Sequence, residues 1–311
     1  MDYTNLTKEQ YLKLWDRPLD ELIEISSSIT KANFTNEIES CSILSAKTGA
    51  CSENCKYCAQ SQHNHAEIEC HPLLDVETVV KAALSAKENG ATRFGIVTSG
   101  KAPTKKEFET LLEMIRAVSA IEGLECCLSL GILSEEQVIQ IKEAGVTRFN
   151  HNINTSERYY SEICSTHKFE DRLNTVKLLR KHGIDVCCGV ILGMGETVED
   201  RIDMAFTLRE VKPATVPINV LNPIKGTPLE DYIDKISEED ILKSICLFRM
   251  ILPHTLLKYA GGRTLRLSRE NQKLGLIAGI NSMMVGNYLT TKGSDMEDDR
   301  KMLKEVDLVM V

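Results

Sequence analysis

A surplus of basic residues is missing from this chain. Its 311 residues carry 37 Lys and Arg against 45 Asp and Glu, a formal net charge of −8. That balance argues against a nucleic-acid partner, because phosphate binding needs a basic surface. A long apolar run is missing too. None approaches the ~20 residues that a membrane span requires, so no membrane role is expected. The opening MDYTNLTKEQ is too polar and acidic for a signal peptide, and a cytoplasmic address is expected by default. There is no low-complexity segment, no Pro/Gly-rich linker and no sequence repeat. The composition, 42% apolar and 26% charged, is that of an ordinary globular protein and excludes a disordered or fibrous one. Cysteine, by contrast, is plentiful, with eleven in the chain. A reducing compartment makes a disulfide framework an unsuitable explanation. Scattered cysteines serve as small buried apolar residues, and clustered ones point to metal.

A structural beat recurs along the chain: a short apolar run, a capped amphipathic helix, another apolar run. Asp75 caps a helix that Gly90 ends. Thr104 with Glu107, and Ser134 with Gln137, form capping boxes. A further helix ends near His182–Gly183, another runs from Thr197 to before Pro213, and Ser237 with Asp240 starts one that stops before Pro253. Strands are predicted at Ser42–Ala46, Arg93–Val97, Leu124–Leu128, Thr147–His151, Asp185–Ile191, Thr215–Val220, Thr255–Tyr259 and Ala278–Met283. Alternating strands and helices imply a parallel sheet. Eight such units predict an α/β fold of the (β/α)8 TIM-barrel type, with an open doubly wound sheet as the alternative. The expected organisation is an N-terminal helical extension over 1–38, the barrel over 39–295 and a C-terminal tail over 296–311. Thr7 with Gln10 boxes the first helix of the extension and Pro18–Leu19 begins the second, and the two are expected to cover the barrel's N-terminal end.

Chemistry concentrates in TGACSENCKYCAQS, where Cys51, Cys55 and Cys58 form C-x3-C-x2-C. The segment directly follows the first strand, which in a barrel is the C-terminal face that carries active sites. Three thiolates on one short loop can ligate three corners of an iron–sulfur cubane. No fourth cysteine lies on the loop, so one iron stays open. A structural zinc site is the competing reading, with His63 or His65 completing it. Zinc usually takes four protein ligands in paired spacing, which x3-then-x2 suits poorly.

This motif, with the aromatic Tyr57 between its last two cysteines, resembles the radical S-adenosylmethionine superfamily. Together with RFNHNINTS, GVILGMGETVEDR, VPINVLNPIKGTPL, YAGGR and NSMMVGNYLTTKG, in that order over about residues 40 to 295, it resembles the biotin synthases. The resemblance implies a [4Fe-4S] cluster on Cys51, Cys55 and Cys58 whose open iron chelates S-adenosylmethionine. The implied reaction inserts sulfur into dethiobiotin, with one S-adenosylmethionine cleaved for each C–H bond. It also implies an external electron donor, the iron–sulfur assembly machinery as a partner, and a homodimer. Residue by residue, it places Tyr57, Asn152, Asn154, Arg172, Gly193, Gly195 and Glu196 near S-adenosylmethionine, and Asn152 and Asn219 near the dethiobiotin ureido ring. Arg172 would pair with the methionyl carboxylate. Asn154 stands where the family often has an aspartate for the ribose, so the charge is lost while hydrogen bonding remains. Read without the resemblance, Arg172 is a surface arginine on a helix, and Gly193–Thr197 is a capped helix start.

The resemblance breaks at the second cluster. Better-known biotin synthases hold an auxiliary two-iron cluster, the presumed sulfur donor, on three cysteines and an arginine. The first of those cysteines would stand where this chain has Gly95, in Thr92-Arg93-Phe94-Gly95, and Lys258 stands in place of the arginine. Cys127 and Cys187 match the other two ligands, and each has an extra neighbour, Cys126 and Cys188. The expectation is a rebuilt auxiliary iron–sulfur cluster, of four irons, on Cys126, Cys127, Cys187 and Cys188. Strand alternation favours Cys127 and Cys187, because adjacent residues face opposite sides unless a bulge re-aims one, and at least one of Cys126 and Cys188 is expected to join them. Cys41, Cys70, Cys164 and Cys246 are read as structural. A related radical enzyme acting on another small molecule, and a non-enzymatic metal or iron–sulfur carrier, stand as alternatives.

Overall fold

The computed structural model describes residues 2–286 and 294–311. Two helices lead, α1 (Lys8–Trp15) and α2 (Leu19–Asn33), and then the barrel begins with β1 (Glu37–Lys47). It continues through α3 (Val76–Glu88), β2 (Arg93–Thr98), α4 (Lys105–Ser119), β3 (Glu125–Ser129), α5 (Glu135–Glu143) and β4 (Arg148–Asn150). Two helices, α6 (Glu157–Ile163) and α7 (Phe169–Lys181), precede β5 (Asp185–Cys187) and β6 (Val190–Leu192). There follow α8 (Val198–Val211), β7 (Thr215–Val220), α9 (Glu238–Ile251), β8 (Leu256–Tyr259), α10 (Arg263–Arg266), α11 (Arg269–Ala278) and β9 (Ser282–Met284). The chain ends with α12 (Met296–Lys304) and β10 (Val309–Met310).

All strand pairings are parallel, in the order β1-β2-β3-β4-β5-β7-β8-β9, and β9 returns to β1 through Glu39↔Ser282 and Cys41↔Met284. The sheet is therefore a closed barrel, as the eight apolar runs predict. The capping boxes predicted at Thr7, Thr104, Ser134 and Ser237 all form. Each satisfies backbone donors that the first helical turn leaves open.

Five details differ from the pattern-based reading. The first strand starts at Glu37 rather than Ser42. The fifth position is split: β5 pairs with β4 and β7, and β6 pairs only with β7. The break falls at Gly189, where an added Cβ would lie 2.0 Å from the Pro217 carbonyl oxygen, so only glycine lets the two chains approach so closely. The last strand is Ser282–Met284 instead of Ala278–Met283, because the Ser268-capped helix α11 runs on to Ala278. An apolar run of this length fits helix and strand alike. Finally, the N-terminal helices lie against the outer ring, α1 on α8 and α2 on α9 and α11, not across the barrel's end. Residues 296–311, expected as a tail, form α12 and β10, and β10 pairs with the start of β1. The buried Arg263 side chain binds Asp299 at 2.9 Å and anchors α12. The stretch 287–293, which carries most of the NYLTTKG resemblance, lies outside the described residues. No helix among the described residues is long and apolar enough to cross a membrane.

Candidate active site

A cavity of about 450 Å³ runs from the loop after β1 down into the barrel. Its lining brings together two groups of thiols: Cys51, Cys55 and Cys58 at the mouth, and Cys41, Cys127 and Cys187 below.

The mouth is built by a loop folded on itself. Cys51 N–H donates to the Gln60 carbonyl at 3.0 Å, and Gln62 N–H returns to the Cys51 carbonyl at 2.9 Å. Asn64 Nδ2 donates to the carbonyls of Cys55 (3.1 Å) and Cys58 (2.8 Å). These bonds hold the backbone of all three cysteines so that their side chains reach one cavity. Burial pushes the Cys58 thiol above its ordinary value. Such thiols stay protonated until a metal takes the proton's place. Three convergent, poorly solvated sulfur donors suit iron–sulfur ligation.

A second loop clasps this one. Asn54 Oδ1 accepts from Ser165 N–H (3.0 Å) and Thr166 N–H (3.2 Å), and Lys56 N–H donates to the Ile163 carbonyl (2.9 Å). Inside the clasp, Cys164 Sγ lies 3.7 Å from Cys55 Sγ and 3.3 Å from His167 Nδ1. Glu53 Oε2 is 2.5 Å from the same nitrogen. Cys55, Cys164 and His167 thus crowd together as metal donors would. The hydrogen bonds argue otherwise. Arg172 Nε–H donates to His167 Nε2 at 3.2 Å, so in a neutral ring Nδ1 carries the proton and has no lone pair for a metal.

Arg172 is half-buried and lines the cavity, not the outer surface of its helix. It also donates from Nε to Tyr160 Oη (2.6 Å) and from Nη1 to the Asn152 carbonyl (3.1 Å). Burial disfavours its charge, but Tyr57, Tyr160 and Cys55 outweigh that and raise its pKa. Asn152 also lines the cavity, and its Oδ1 accepts from Gly189 N–H at 2.9 Å. Asn154, in a left-handed conformation at φ 67°, donates from Nδ2 to Tyr57 Oη at 2.8 Å. Both side chains border the cavity. Asn219 sits at the end of β7. Its Nδ2 donates to the Val190 carbonyl and its Oδ1 accepts from Gly261 N–H, each at 2.9 Å. One further donor and one acceptor position remain on that amide. His151 also borders the cavity, with a buried Nε2 that has no partner, and burial holds its pKa well below the ordinary range.

Gly193, Gly195 and Glu196 are not among the residues that line the cavity. Glu196 turns back, accepting from the Gly193 and Met194 N–H groups at 2.8 Å and pairing with Arg201 at 2.9 Å. Gly193 and Gly195 have φ of 91° and 103°, a left-handed turn that glycine makes without strain.

At the lower tier the cysteine doublets separate as strand alternation requires. Cys127 and Cys187 face the cavity; Cys126 and Cys188 do not line it. Both outward thiols are buried, which pushes each up to about 12. The third inward thiol is Cys41 on β1, read from the sequence as structural. Cys41 and Ile43 both line the cavity, a period of two that becomes visible once β1 is known to begin at Glu37. Gly95 occupies the position where the resemblance places the first cysteine of the auxiliary set, and an added Cβ there would meet Ile43 Cγ2 at 3.0 Å. Ile43 crowds the space that side chain would need.

Beneath these thiols lies a charge imbalance. Glu39 binds Arg93 Nε and Arg148 Nη1, each at 2.8 Å, and lies 3.9 Å from Lys258 Nζ. Burial alone would raise the Glu39 pKa, but Arg148, Lys258 and Arg93 outweigh it and the net shift is downward. Lys258 is held above its ordinary value: burial opposes its charge, and Cys41, Cys187 and Glu39 outweigh that. Arg148 Nε is buried without a partner. Three cations thus share Glu39 below three thiols, and Glu125 adds a second partner to Arg93 alone. An anionic guest bound through sulfur fits such a pocket. The sequence carried no signal for Glu39, Arg93, Arg148 or His167 as members of the site.

Residues 46–208 match the model of the Radical SAM superfamily, and residues 217–309 match the Biotin and Thiamin Synthesis associated domain. The biotin synthase of Acetivibrio thermocellus is 46% identical over 93% of this chain and 89% of its own length. That of Clostridium tetani is 42% identical over 94% of this chain and 90% of its own. Among solved structures, methylornithine synthase superposes with a TM-score of 0.85 at 20% identity, covering 99% of this chain and 94% of that one. The FeFe-hydrogenase maturase HydG from Carboxydothermus hydrogenoformans gives 0.86 at 18%, covering 98% and 76%. Those two likenesses concern the fold alone.

Proposed function

The chain belongs to the biotin synthase family of the radical S-adenosylmethionine superfamily, and from that premise we propose that its barrel joins radical generation at the mouth to sulfur donation at the floor, converting dethiobiotin to biotin. Cys51, Cys55 and Cys58 would hold the [4Fe-4S] cluster, and Cys41, Cys127 and Cys187 an auxiliary iron–sulfur cluster. When bound, the first supplies with S-adenosylmethionine a 5′-deoxyadenosyl radical, and the second supplies the sulfur atom. The C–H bonds to be broken lack an acidic proton, so the chemistry belongs to the cofactors and the protein contributes placement.

The chain's own residues have separable tasks. Arg172, fixed by Tyr160, His167 and the Asn152 carbonyl, keeps a half-buried positive charge beside the mouth for the methionyl carboxylate. Tyr57 and Asn154 brace each other at the cavity wall, where the adenosyl group would lie. Asn219 offers one donor and one acceptor to a ureido ring, with Asn152 on the same wall, the two amides bonding to the consecutive residues Val190 and Gly189. Lys258 and Arg148 supply fixed positive charge to a thiolate-bound group at the floor, and they do so without reorganisation because Glu39 holds their positions. The Gly193–Glu196 turn supports this wall through Arg201 and does not itself line the cavity. Each cleavage of S-adenosylmethionine consumes one electron from an external donor. Iron–sulfur assembly machinery must fill both tiers, and a homodimeric state is carried from the family.

The observation that carries the reading is the single cavity with three thiols at each end and the asparagines between them. Anaerobic turnover with S-adenosylmethionine, dethiobiotin and a reductant tests it. Biotin and 5′-deoxyadenosine should both appear. Production of 5′-deoxyadenosine with no biotin would remove dethiobiotin as the substrate.

A further inference from the structure

Cys126, Cys164, Cys188 and Cys246 are buried thiols that the proposed mechanism leaves unused, and of these four Cys164 is the one in contact with a mouth cysteine. Cys164 is 5% exposed and stands at the head of the clasp that grips the cluster loop. The Cys55 thiol donates to it at 3.7 Å. Its other neighbours are His167 Nδ1 at 3.3 Å, Thr166 Oγ1 at 3.4 Å and Asn54 Oδ1 at 3.4 Å. His167 is fixed in turn by Glu53 and Arg172.

A ligand role fits poorly. Sulfurs on separate corners of a cubane point away from one another, whereas these two are in van der Waals contact. A structural role alone leaves the polar surroundings unexplained, because a cysteine serving only as a small apolar filler needs no histidine, threonine or asparagine around its sulfur. The remaining role follows from the proton count. Once Cys55 is bound to iron as a thiolate it has no proton to give. The contact then persists only with Cys164 as the donor, its proton turning from Asn54 Oδ1 toward Cys55 while Thr166 Oγ1 stays within reach of the Cys164 sulfur.

We propose that Cys164 is a positioning residue for the radical-generating cluster: its thiol donates to the iron-bound sulfur of Cys55 and holds the cluster's reduction potential up. Hydrogen bonds to cluster sulfurs are one of the recognised determinants of that potential, because they stabilise the extra negative charge of the reduced state. The inference rests on the assignment of the cluster to Cys51, Cys55 and Cys58.

The test uses the full-length chain, loaded with iron and sulfide under anaerobic conditions and titrated against a reductant while the reduced four-iron signal is followed by electron paramagnetic resonance. Cys51→Ala controls the premise. It is made, like every chain in this titration, in a Cys127→Ala, Cys187→Ala background that leaves the floor without its proposed cluster; if the signal survives there, the cluster is elsewhere, and the assignment fails before the inference is reached. With the premise secure, Cys164→Ala should shift the midpoint to more negative values. The expected size is a tenfold change in the ratio of oxidised to reduced cluster at fixed potential, about 59 mV for one electron. Cys164→Ser keeps a donor and should recover most of the shift. Cys164→Val fills a similar volume without a donor and should behave as the alanine variant, so a packing defect is told apart from a lost hydrogen bond. Should the alanine and valine chains fail to take up iron while the serine chain loads, the need for a donor is confirmed by assembly instead of by potential. An unchanged midpoint in Cys164→Ala or Cys164→Val overturns the inference. So does a serine variant shifted as far as alanine, or failure of all three to load, which would make Cys164 a ligand.

Discussion

The two thiol tiers of this barrel hold the same number of inward cysteines and are built in opposite ways. At the mouth, Cys51, Cys55 and Cys58 come from one loop of eight residues, and local backbone hydrogen bonds shape it. At the floor, Cys41, Cys127 and Cys187 come from β1, β3 and β5, and nothing but closure of the barrel brings them together. The surroundings differ as well. The mouth is wrapped by backbone hydrogen bonds and one clasp loop with Arg172 beside it, whereas beneath the floor Arg93, Arg148 and Lys258 gather around Glu39. A local site announces itself by spacing. A site assembled across a barrel is announced by which way side chains face and by charges that balance only when something is bound.

Substitutions that separate the tiers have the largest expected effects. Cys51→Ala, Cys55→Ala or Cys58→Ala should abolish both 5′-deoxyadenosine and biotin, measured by chromatography of anaerobic reactions. Cys41→Ala, Cys127→Ala or Cys187→Ala should abolish biotin while 5′-deoxyadenosine continues to form, and iron content should fall by the auxiliary complement. Cys126→Ala and Cys188→Ala probe the outward faces of the same strands. Each should retain biotin formation and cost about 1 kcal/mol of stability through a small core cavity. Equal loss of biotin in the inward and outward sets would erase the distinction between them.

Next in size is the charge beneath the floor. Glu39→Gln leaves three buried cations without their shared anion and should destabilise the chain by roughly 3 kcal/mol at pH 7, the scale of breaking a buried ion pair. Burial raises the Glu39 pKa, the three cations more than reverse that, and its folded value lies below the ordinary 4.5. A depressed carboxylate contributes stability that is present above its unfolded value and lost as pH falls through the folded one. The gap between wild type and Glu39→Gln in urea unfolding should therefore be constant near neutrality and close below about pH 4.5. A gap that persists at lower pH would show that shape, not charge, is what Glu39 provides.

The smallest expected effect sharpens the local side of the comparison. Asn64→Ala removes the donor to the Cys55 and Cys58 carbonyls, at about 1 kcal/mol per hydrogen bond. Iron should leave the mouth faster in the presence of a chelator while the floor keeps its own. Equal loss from both tiers would mean that they are not independent.

Much of this was legible in the chain before folding. The alternation of capped helices with apolar runs led to a closed parallel barrel, because capping residues and periodicity act over a few residues. The pattern misleads where local signals compete. An apolar stretch near residue 280 fits strand as well as the helix α11 that runs on there, and the apolar run through Gly189 hides a break that contact with Pro217 imposes. At the site, the inward role of Cys41 is hidden because the apolar pattern begins only at Ser42, one residue beyond it.

By itself, the sequence determined the barrel, the spacing of Cys51, Cys55 and Cys58 and the family to which the chain belongs. Each of these depends on residues close together in the chain or on motifs read in order. Only the tertiary structure decided that Cys41 joins Cys127 and Cys187 while Cys126 and Cys188 turn away, that Glu39 gathers three cations beneath them, and that Cys164 meets Cys55. Those relations join residues on different strands and loops, and barrel closure, not chain proximity, sets which of them touch.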